Sequence, residues 1–512
     1  MTFTVLKSIK VLNPKTYFND ISDVVICNDK IFSICKDFKT EVSHQDRQIN
    51  IYDCNGLTMS PGLIDMRVNI GKTENLTAIQ KIAAENGITS MVILPNQTPK
   101  LNNPSIIDHI KRQSETPNLT KVNIYGAATK DDHGLEMSEI GLMSEMGAIG
   151  FTNGNKSIKN SLVMRRLMSY AAMINRPIIQ HAEDEDLSGL NKASTTLING
   201  EMNEGEISTR LGLIGIPSCA EVIIVERDIR LAKLTGASYH VAHISTRDSI
   251  NVIREAKKIG LKVTCDTAPP YFALNETSLL SYNTAFKLSP PLRKEDDRLA
   301  VIEGIQDGTI DAIASDHRAR SKDTKAQPFS AASVGASGIE TLFLMTLELV
   351  HKKIIDLNKA ISLLTINPAN VLKMEKPSLE KDGLADFIIF DENCPNVIRQ
   401  NNLKTRTWIS RYDNGQKSDE GNYVKGKKDG KWMSGKTGFT RNIYNYLPMK
   451  GNIDNLFALG SFTETDKHGI ATFGRSIEAT VEYLNKHEQT RHYYVWLCVY
   501  QHATFLSTKV GW

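Results

Sequence analysis

His181, His243 and Asp316 lie far apart in the chain, yet each closes a short apolar run: PIIQH, SYHVAH and DAIASD. Two imidazoles and a carboxylate brought to one place form a plausible zinc set. Zinc in a hydrolase takes neutral nitrogen and anionic oxygen ligands and keeps one position for water, whose pKa the ion lowers until hydroxide is available near neutrality. A carboxylate beside that water can carry its proton, and Asp316 is the candidate for this step. A single histidine at a strand end is more often a hydrogen-bonded packing residue than a ligand. Three such positions in register favour a metal site, or a former one, over packing.

The elements that must position these residues are legible in the apolar pattern. Strand-like runs occur in the order GLIDMRV, SMVILP, VNIYGAAT, AIGFTN, PIIQHAED, SYHVAHIST, KVTCDTAPP and DAIASDH. Amphipathic stretches such as SLVMRRLMSYAAMI and SINVIREAKKIG separate many of them, the alternation of a parallel β-α sheet. Eight such units predict an α/β fold, a (β/α)8 TIM-type barrel over residues 59–374, with chemistry at the carboxyl ends of the strands. Those ends are polar here: Arg67 and Asn69, Asn96, Asn153, His181, His243, Asp266 and Asp316. Short β-type runs before residue 58, and GLADFIIFDEN at 383–393, predict a small β-rich domain built from residues 1–58 and 375–400. Beyond residue 400 the β-α rhythm is lost, so residues 401–512 form an unassigned tail.

Bulk properties narrow the class. At 512 residues, with 41% hydrophobic and 23% charged side chains, the chain can bury a sizeable core. Sixty-one basic residues nearly cancel 58 acidic ones, so neither nucleic acid nor an anionic membrane is indicated as partner. Seven scattered cysteines, none spaced C-x-x-C, predict neither a disulfide framework nor a zinc ribbon and fit a reducing cytoplasm. No export signal or spanning segment is read.

Several motifs together resemble the class I dihydroorotases of the amidohydrolase superfamily, over about residues 1–395. They are SPGLID at 60–65, ILPNQTP at 93–99, IGFTNG at 149–154, QHAED at 180–184, HVAHIST at 240–246, SPPLRKEDDR at 289–298, SDH at 315–317, GIET at 338–341 and NPAN at 367–370. Each is weak alone; their order and spacing are specific. The resemblance implies reversible cyclisation of N-carbamoyl-aspartate to dihydroorotate with one or two zinc ions. It matches His181 and His243 to metal ligands, Asp316 to the aspartate that binds metal and shuttles the proton, and Asn96 to a substrate-binding asparagine.

The departures from the family pattern are concentrated at the same site. Where the resemblance implies His-x-His after Asp65, the chain has Arg67 and Asn69, and Gly71 replaces the arginine for the substrate carboxylate. Asn153 stands for an anionic bridging ligand, Ser289 for a substrate asparagine and Arg320 for a substrate histidine. A guanidinium and two carboxamides supply too little donor strength and negative charge for two ions, so at most one zinc is expected. Arg67 stays protonated in a protein, is placed to pair with Asp316, and cannot generate hydroxide.

Two readings of different class follow. One is a non-catalytic dihydroorotase-like protein, an oligomer with a structural role beside aspartate carbamoyltransferase, with which members of the family assemble. The other is an active dihydroorotase or cyclic-amide hydrolase using a single zinc on His181, His243 and Asp316. Substitution of metal and substrate positions together favours the first. Either Arg67 or Lys72 is placed to take over the lost arginine's task.

Three features of the tail carry less. Gly430 to Thr437 matches G-x-x-x-x-G-K-T, but no buried strand leads into it and no helix pattern follows, so phosphate binding is not expected. The run from Arg411 to Trp432 resembles one MORN-type hairpin unit, and residues 455–487 resemble the carboxyl-terminal part of flavin-dependent oxidoreductases without any G-x-G-x-x-G half.

Overall fold

The structure, a computed structural model, describes residues 2–38, 48–71, 74–115, 119–189 and 200–393, and the strands Thr407–Arg411, Lys417–Val424, Lys427–Ser434 and Trp496–Val499. The chain divides into two units, one of Asn13–Phe18 with Pro61–Ser378, the other of Met1–Leu12, Asn19–Ser60 and Leu379–Trp512.

In the first unit eight strands run parallel: β1 (Leu63–Val68), β2 (Ile88–Ile93), β3 (Lys121–Ala127), β4 (Ala148–Thr152), β5 (Ile178–His181), β6 (Tyr239–Ala242), β7 (Val263–Thr267) and β8 (Ala312–Ile313). Each neighbours the next in sequence. The sheet closes where Val68 bridges His317 in the parallel sense and the Asn69 amide donates to the His317 carbonyl at 2.8 Å. All six residues of β1 and of β2 are buried, as strands covered on both faces must be. Ile64, Met66, Val92, Tyr125, Ile179 and Ala312 share one core cluster with Ala369 and Leu372 of the helix Ile366–Leu372.

The intervening helices follow their sequence signals. Asn160 accepts from the amides of Leu162 and Val163 at 2.9 and 3.2 Å and starts Ser161–Met173, whose Val163, Met164, Leu167, Met168 and Ala171 face inward. Thr246 caps Arg247–Lys258, which buries Ile250, Ile253 and Ala256 at helical spacing. One irregularity matters for the site. Asp65 pairs with Met91 and Val68 with Ile93, so three steps on β1 oppose two on β2. Such a bulge re-aims the side chains beside it, and Arg67 lies within it.

The second unit holds a sheet of seven strands. Thr2–Asn13 pairs in parallel with Gln48–Asp53 and Thr58–Pro61, Phe18–Cys27 pairs antiparallel with Lys30–Cys35, and the buried Phe387–Phe390 pairs antiparallel with Trp496–Val499. Thr407–Arg411, Lys417–Val424 and Lys427–Ser434 form a separate antiparallel sheet.

The expected (β/α)8 barrel with a small β-rich domain is the observed fold, and every strand-like run overlaps one barrel strand. The barrel unit comprises Asn13–Phe18 and Pro61–Ser378, and within it the Asn13 side-chain amide donates to Ser378 Oγ at 3.3 Å. Gly430 to Ser434 of the phosphate-loop match lie inside a strand. Gly435 to Thr437, and the flavoprotein-like stretch at 455–487, lie outside the described residues. No helix among the described residues is long and apolar enough to cross a membrane.

Candidate active site

At the carboxyl ends of the strands one line of contacts joins four of the residues singled out from sequence. Arg67, 1% exposed, donates through Nε to Asp316 Oδ1 at 2.8 Å. Its Nη2 donates to the Gly154 carbonyl at 3.1 Å and to Asn155 Oδ1 at 3.0 Å. Asp316 Oδ2 faces His243 Nδ1 at 3.4 Å. His243 Nε2 in turn shares a hydrogen bond of 2.9 Å with His181 Nδ1, and the two rings stack with centroids 4.9 Å apart. Beyond His181 lies the buried Glu183, with Oε2 3.7 Å from Nε2.

The backbone is bent to make this line. His243 and Asp316, each just past its strand, hold φ at 41° and 48°, in the left-handed region that side chains with a Cβ rarely adopt. Asp266 fixes the first bend by accepting from the His243 amide at 2.6 Å, and its other oxygen holds His240 Nε2 at 3.0 Å.

Charge sets the protonation states. Burial works to raise the pKa of Asp316, but the charges and hydrogen bonds of His243 and Arg67 outweigh it and hold the carboxylate well below its ordinary range. Burial, then the neighbouring charges of His243 and Arg67, lower the His181 pKa well below that of free histidine. His181 is therefore neutral at physiological pH, and one proton is shared between the facing nitrogens. Burial raises Glu183.

These residues, as placed, do not fit a zinc ion. Joint ligation needs both imidazole lone pairs and a carboxylate oxygen aimed at one point. Here one ring nitrogen donates to the other, and the carboxylate accepts from a guanidinium, so the groups are directed at one another. Among the described residues no group of three or more His, Cys, Asp or Glu side chains is arranged to hold a metal.

The remaining positions are dispersed. Asn153, at the end of β4, is turned away from the line: its Oδ1 accepts from the Thr129 amide at 3.0 Å and its Nδ2 donates to Thr129 Oγ1 at 2.8 Å. Its carboxamide is thus engaged by Thr129, itself fully buried just past β3, and takes no part in the line of contacts expected of the bridging position. Asn96 donates to the Asn153 carbonyl at 3.1 Å and packs against Gly154, whose φ of 67° and lack of a side chain make room for it. Asn69 is half-buried and held by its backbone. The Gly71 amide donates to Glu74 Oε2 at 2.8 Å, while Glu74 Oε1 meets His317 Nε2 at 3.1 Å. Arg320 donates through Nε to the Val334 carbonyl at 2.8 Å. Ser289 is half-buried on the segment after Lys287. Lys72 lies outside the described residues.

Sequence reasoning passed over Glu74, Glu183, Asn155 and Arg318. For Arg318 the signal was present, since SDHRAR sets two arginines directly behind Asp316. It passed over Asp65 as well, which is fully buried and accepts from the amides of Ser315 at 3.0 Å and Arg67 at 3.2 Å. Burial, partly offset by these bonds, pushes its pKa up to about 6. A raised carboxyl pKa contributes stability that is complete below about pH 4 and lost as pH rises through about 6. Asp65→Asn is expected to flatten this decline, worth roughly 3 kcal/mol, in urea denaturation between pH 4 and 7. An unchanged profile would remove Asp65 as its source.

The fold is shared with solved barrel structures. L-Hydantoinase (dihydropyrimidinase) from Arthrobacter aurescens superposes with a TM-score of 0.66 at 21% identity, covering 77% of this chain and 88% of its own. Dihydropyrimidinase from Brevibacillus agri gives 0.63 at 21%, covering 79% and 88%. The family pattern described as Dihydro-orotase-like matches residues 56–249. Dihydroorotase of Ehrlichia canis is 35% identical over 443 residues, 85% of this chain and 95% of the relative. Dihydroorotase of Anaplasma phagocytophilum is 36% identical over 393 residues, 76% and 84%. The chain belongs to the dihydroorotase family. A match to 85% of 512 residues extends past residue 400, so the likeness is longer than the 1–395 expected from motifs.

Proposed function

We propose that this protein is a dihydroorotase-like member of the pyrimidine pathway that has lost the family's metal-dependent cyclisation and acts as a structural partner of aspartate carbamoyltransferase. The observation that carries the proposal is the Arg67–Asp316 ion pair at 2.8 Å. It places a permanent cation against the carboxylate that would otherwise bind metal and move the proton. A guanidinium supplies positive charge but, protonated at every working pH, cannot lower the pKa of a bound water as zinc does.

A second reading has one observation in its favour. His181, His243 and Asp316 are consecutive in one line of contacts, so rotation of Arg67 away from Asp316, together with parting of the two imidazoles, would leave three donors for a single zinc and an active hydrolase.

Zinc content and turnover of the purified full chain decide between them. The expected result is less than one equivalent of zinc, no cyclisation of carbamoyl-aspartate above background, and co-elution with aspartate carbamoyltransferase when the two are co-expressed. One firmly bound zinc with turnover abolished by His181→Ala would establish the second reading. Inactivity without any association would remove the structural role.

A further inference from the structure

The chain that leaves Asp316 returns to it. The Arg318 amide donates to the Ala336 carbonyl at 2.8 Å, and Arg320 Nε donates to the Val334 carbonyl at 2.8 Å. At Gly338 the approach is so close that an added Cβ would stand 2.1 Å from the Ser315 carbonyl oxygen. Residues 315–320 and 334–338 thus form a neck, and residues 321–333 a closed loop upon it. Loops of this length whose ends meet are compact units, and many are functional.

The loop has little of its own to hold it. Its α-helix, Lys322–Lys325, is 4 residues long, and of residues 322–331 only Phe329 is buried. Phe329 sits in a socket made by other excursions from the barrel: Met202, which follows β5, and Leu279 and Phe286, which follow β7. Tyr282 meets its ring edge-on with centroids 6.5 Å apart, and Lys287 Nζ lies 5.3 Å from the ring centroid. Two ammonium groups complete the seat. Lys287 Nζ donates to the carbonyls of Phe329 and Ser330 at 2.7 and 2.9 Å, and Lys325 Nζ donates to that of Thr284 at 2.8 Å. Thr284 Oγ1 donates in turn to the Lys325 carbonyl at 2.5 Å. Among the described residues no strand ladder joins loop and socket, and the socket cluster shares no residue with the core cluster around Ile64 and Met66.

Position gives the loop a task. β5 and β8 are not neighbours in the ring, so a contact between the excursions that follow them passes over the mouth and not along its rim. In the mouth Arg67, His181 and His243 are buried, and the Asp316 side chain is 20% exposed. A solute can reach such a line only if part of the structure moves, and lids are drawn from the least stable segments of a fold.

We propose that residues 321–333 are a gate, which lifts as one body about its neck, withdraws Phe329 from the socket and admits small solutes to the line from Arg67 to His181. The gate goes beyond a structural role for the chain and holds whether or not the site takes a metal.

Hydrogen–deuterium exchange of the full chain in chelator-treated buffer, read by mass spectrometry, tests the motion. Diethyl pyrocarbonate, which acylates neutral imidazole, tests the access. Phe329→Ala is expected to speed amide exchange in residues 321–333 on the order of 100-fold, while β1 and β2 exchange as in the natural protein. Modification of His181 and His243 should then be several-fold faster relative to the exposed His109. Lys287→Met, which removes the ammonium from two loop carbonyls and leaves the ring in place, should act in the same direction to a smaller extent, and it carries the test if Phe329→Ala does not fold. Exchange that rises equally in the loop and in β1 and β2 would mean global loosening and overturns the gate. So does a loop that opens while both histidines react as slowly as in the natural protein.

Discussion

Purified protein carrying Arg67→His and Asn69→His is expected to bind zinc far more tightly than the unaltered chain. The reason is Coulombic. An ion bound to Asp316 would lie roughly 4 Å from the Arg67 guanidinium, where two unit charges at an effective dielectric of about 20 repel by about 4 kcal/mol, and a divalent ion by about 8. Removing that repulsion and adding imidazole donors should raise affinity by on the order of 10⁵-fold. The natural chain has Arg67 Nε only 2.8 Å from Asp316 Oδ1, so the two states differ at the atom that would hold the metal. Metal analysis after dialysis reads the outcome. A folded double variant that stays metal-free would show that the guanidinium is not what bars the ion.

Arg67→Ala is expected to have the largest effect on stability. The guanidinium is 1% exposed and serves Asp316, the Gly154 carbonyl and Asn155 together. Breaking a buried ion pair by removing one partner costs about 3–5 kcal/mol, because the other charge is left uncompensated. For a domain of this size that corresponds to a fall in Tm on the order of 10 °C. The pH dependence has a definite sign. Asp316 has a depressed pKa, so its contribution is present above the unfolded carboxyl value of about 3.9 and is lost as pH falls below it. The gap between natural and variant protein should therefore narrow below about pH 4. A variant equal to the natural protein in Tm at pH 7 would mean that the pair does not hold the mouth together.

The barrel and the partners of its strand ends were not equally legible in the sequence. Runs such as SMVILP and KVTCDTAPP announce buried strands because a parallel strand covered on both faces must be apolar throughout, and the residue that ends each run then follows. The proximity of Arg67 and Asp316 was legible too, from strand order and opposite charge. What was hidden depends on local geometry. Asn153 sits at the expected strand end but bonds to Thr129, a choice set by one side-chain torsion. The bulge in β1 that aims Arg67 leaves no compositional trace. Asp65 and Glu183 read as ordinary acids until burial gives them raised pKa values.

The pairing of Val68 with His317 joins the first strand to the end of the last, and Arg67 and Asp316 are their immediate neighbours on either side of that join. The ion pair is thus a clasp across the one place where a linear chain had to be made circular. A ligand that draws Arg67 away from Asp316 would loosen the ring itself, while one that leaves the pair intact would tighten it. Any ligand that acts on this pair would therefore act on the closure of the barrel as well.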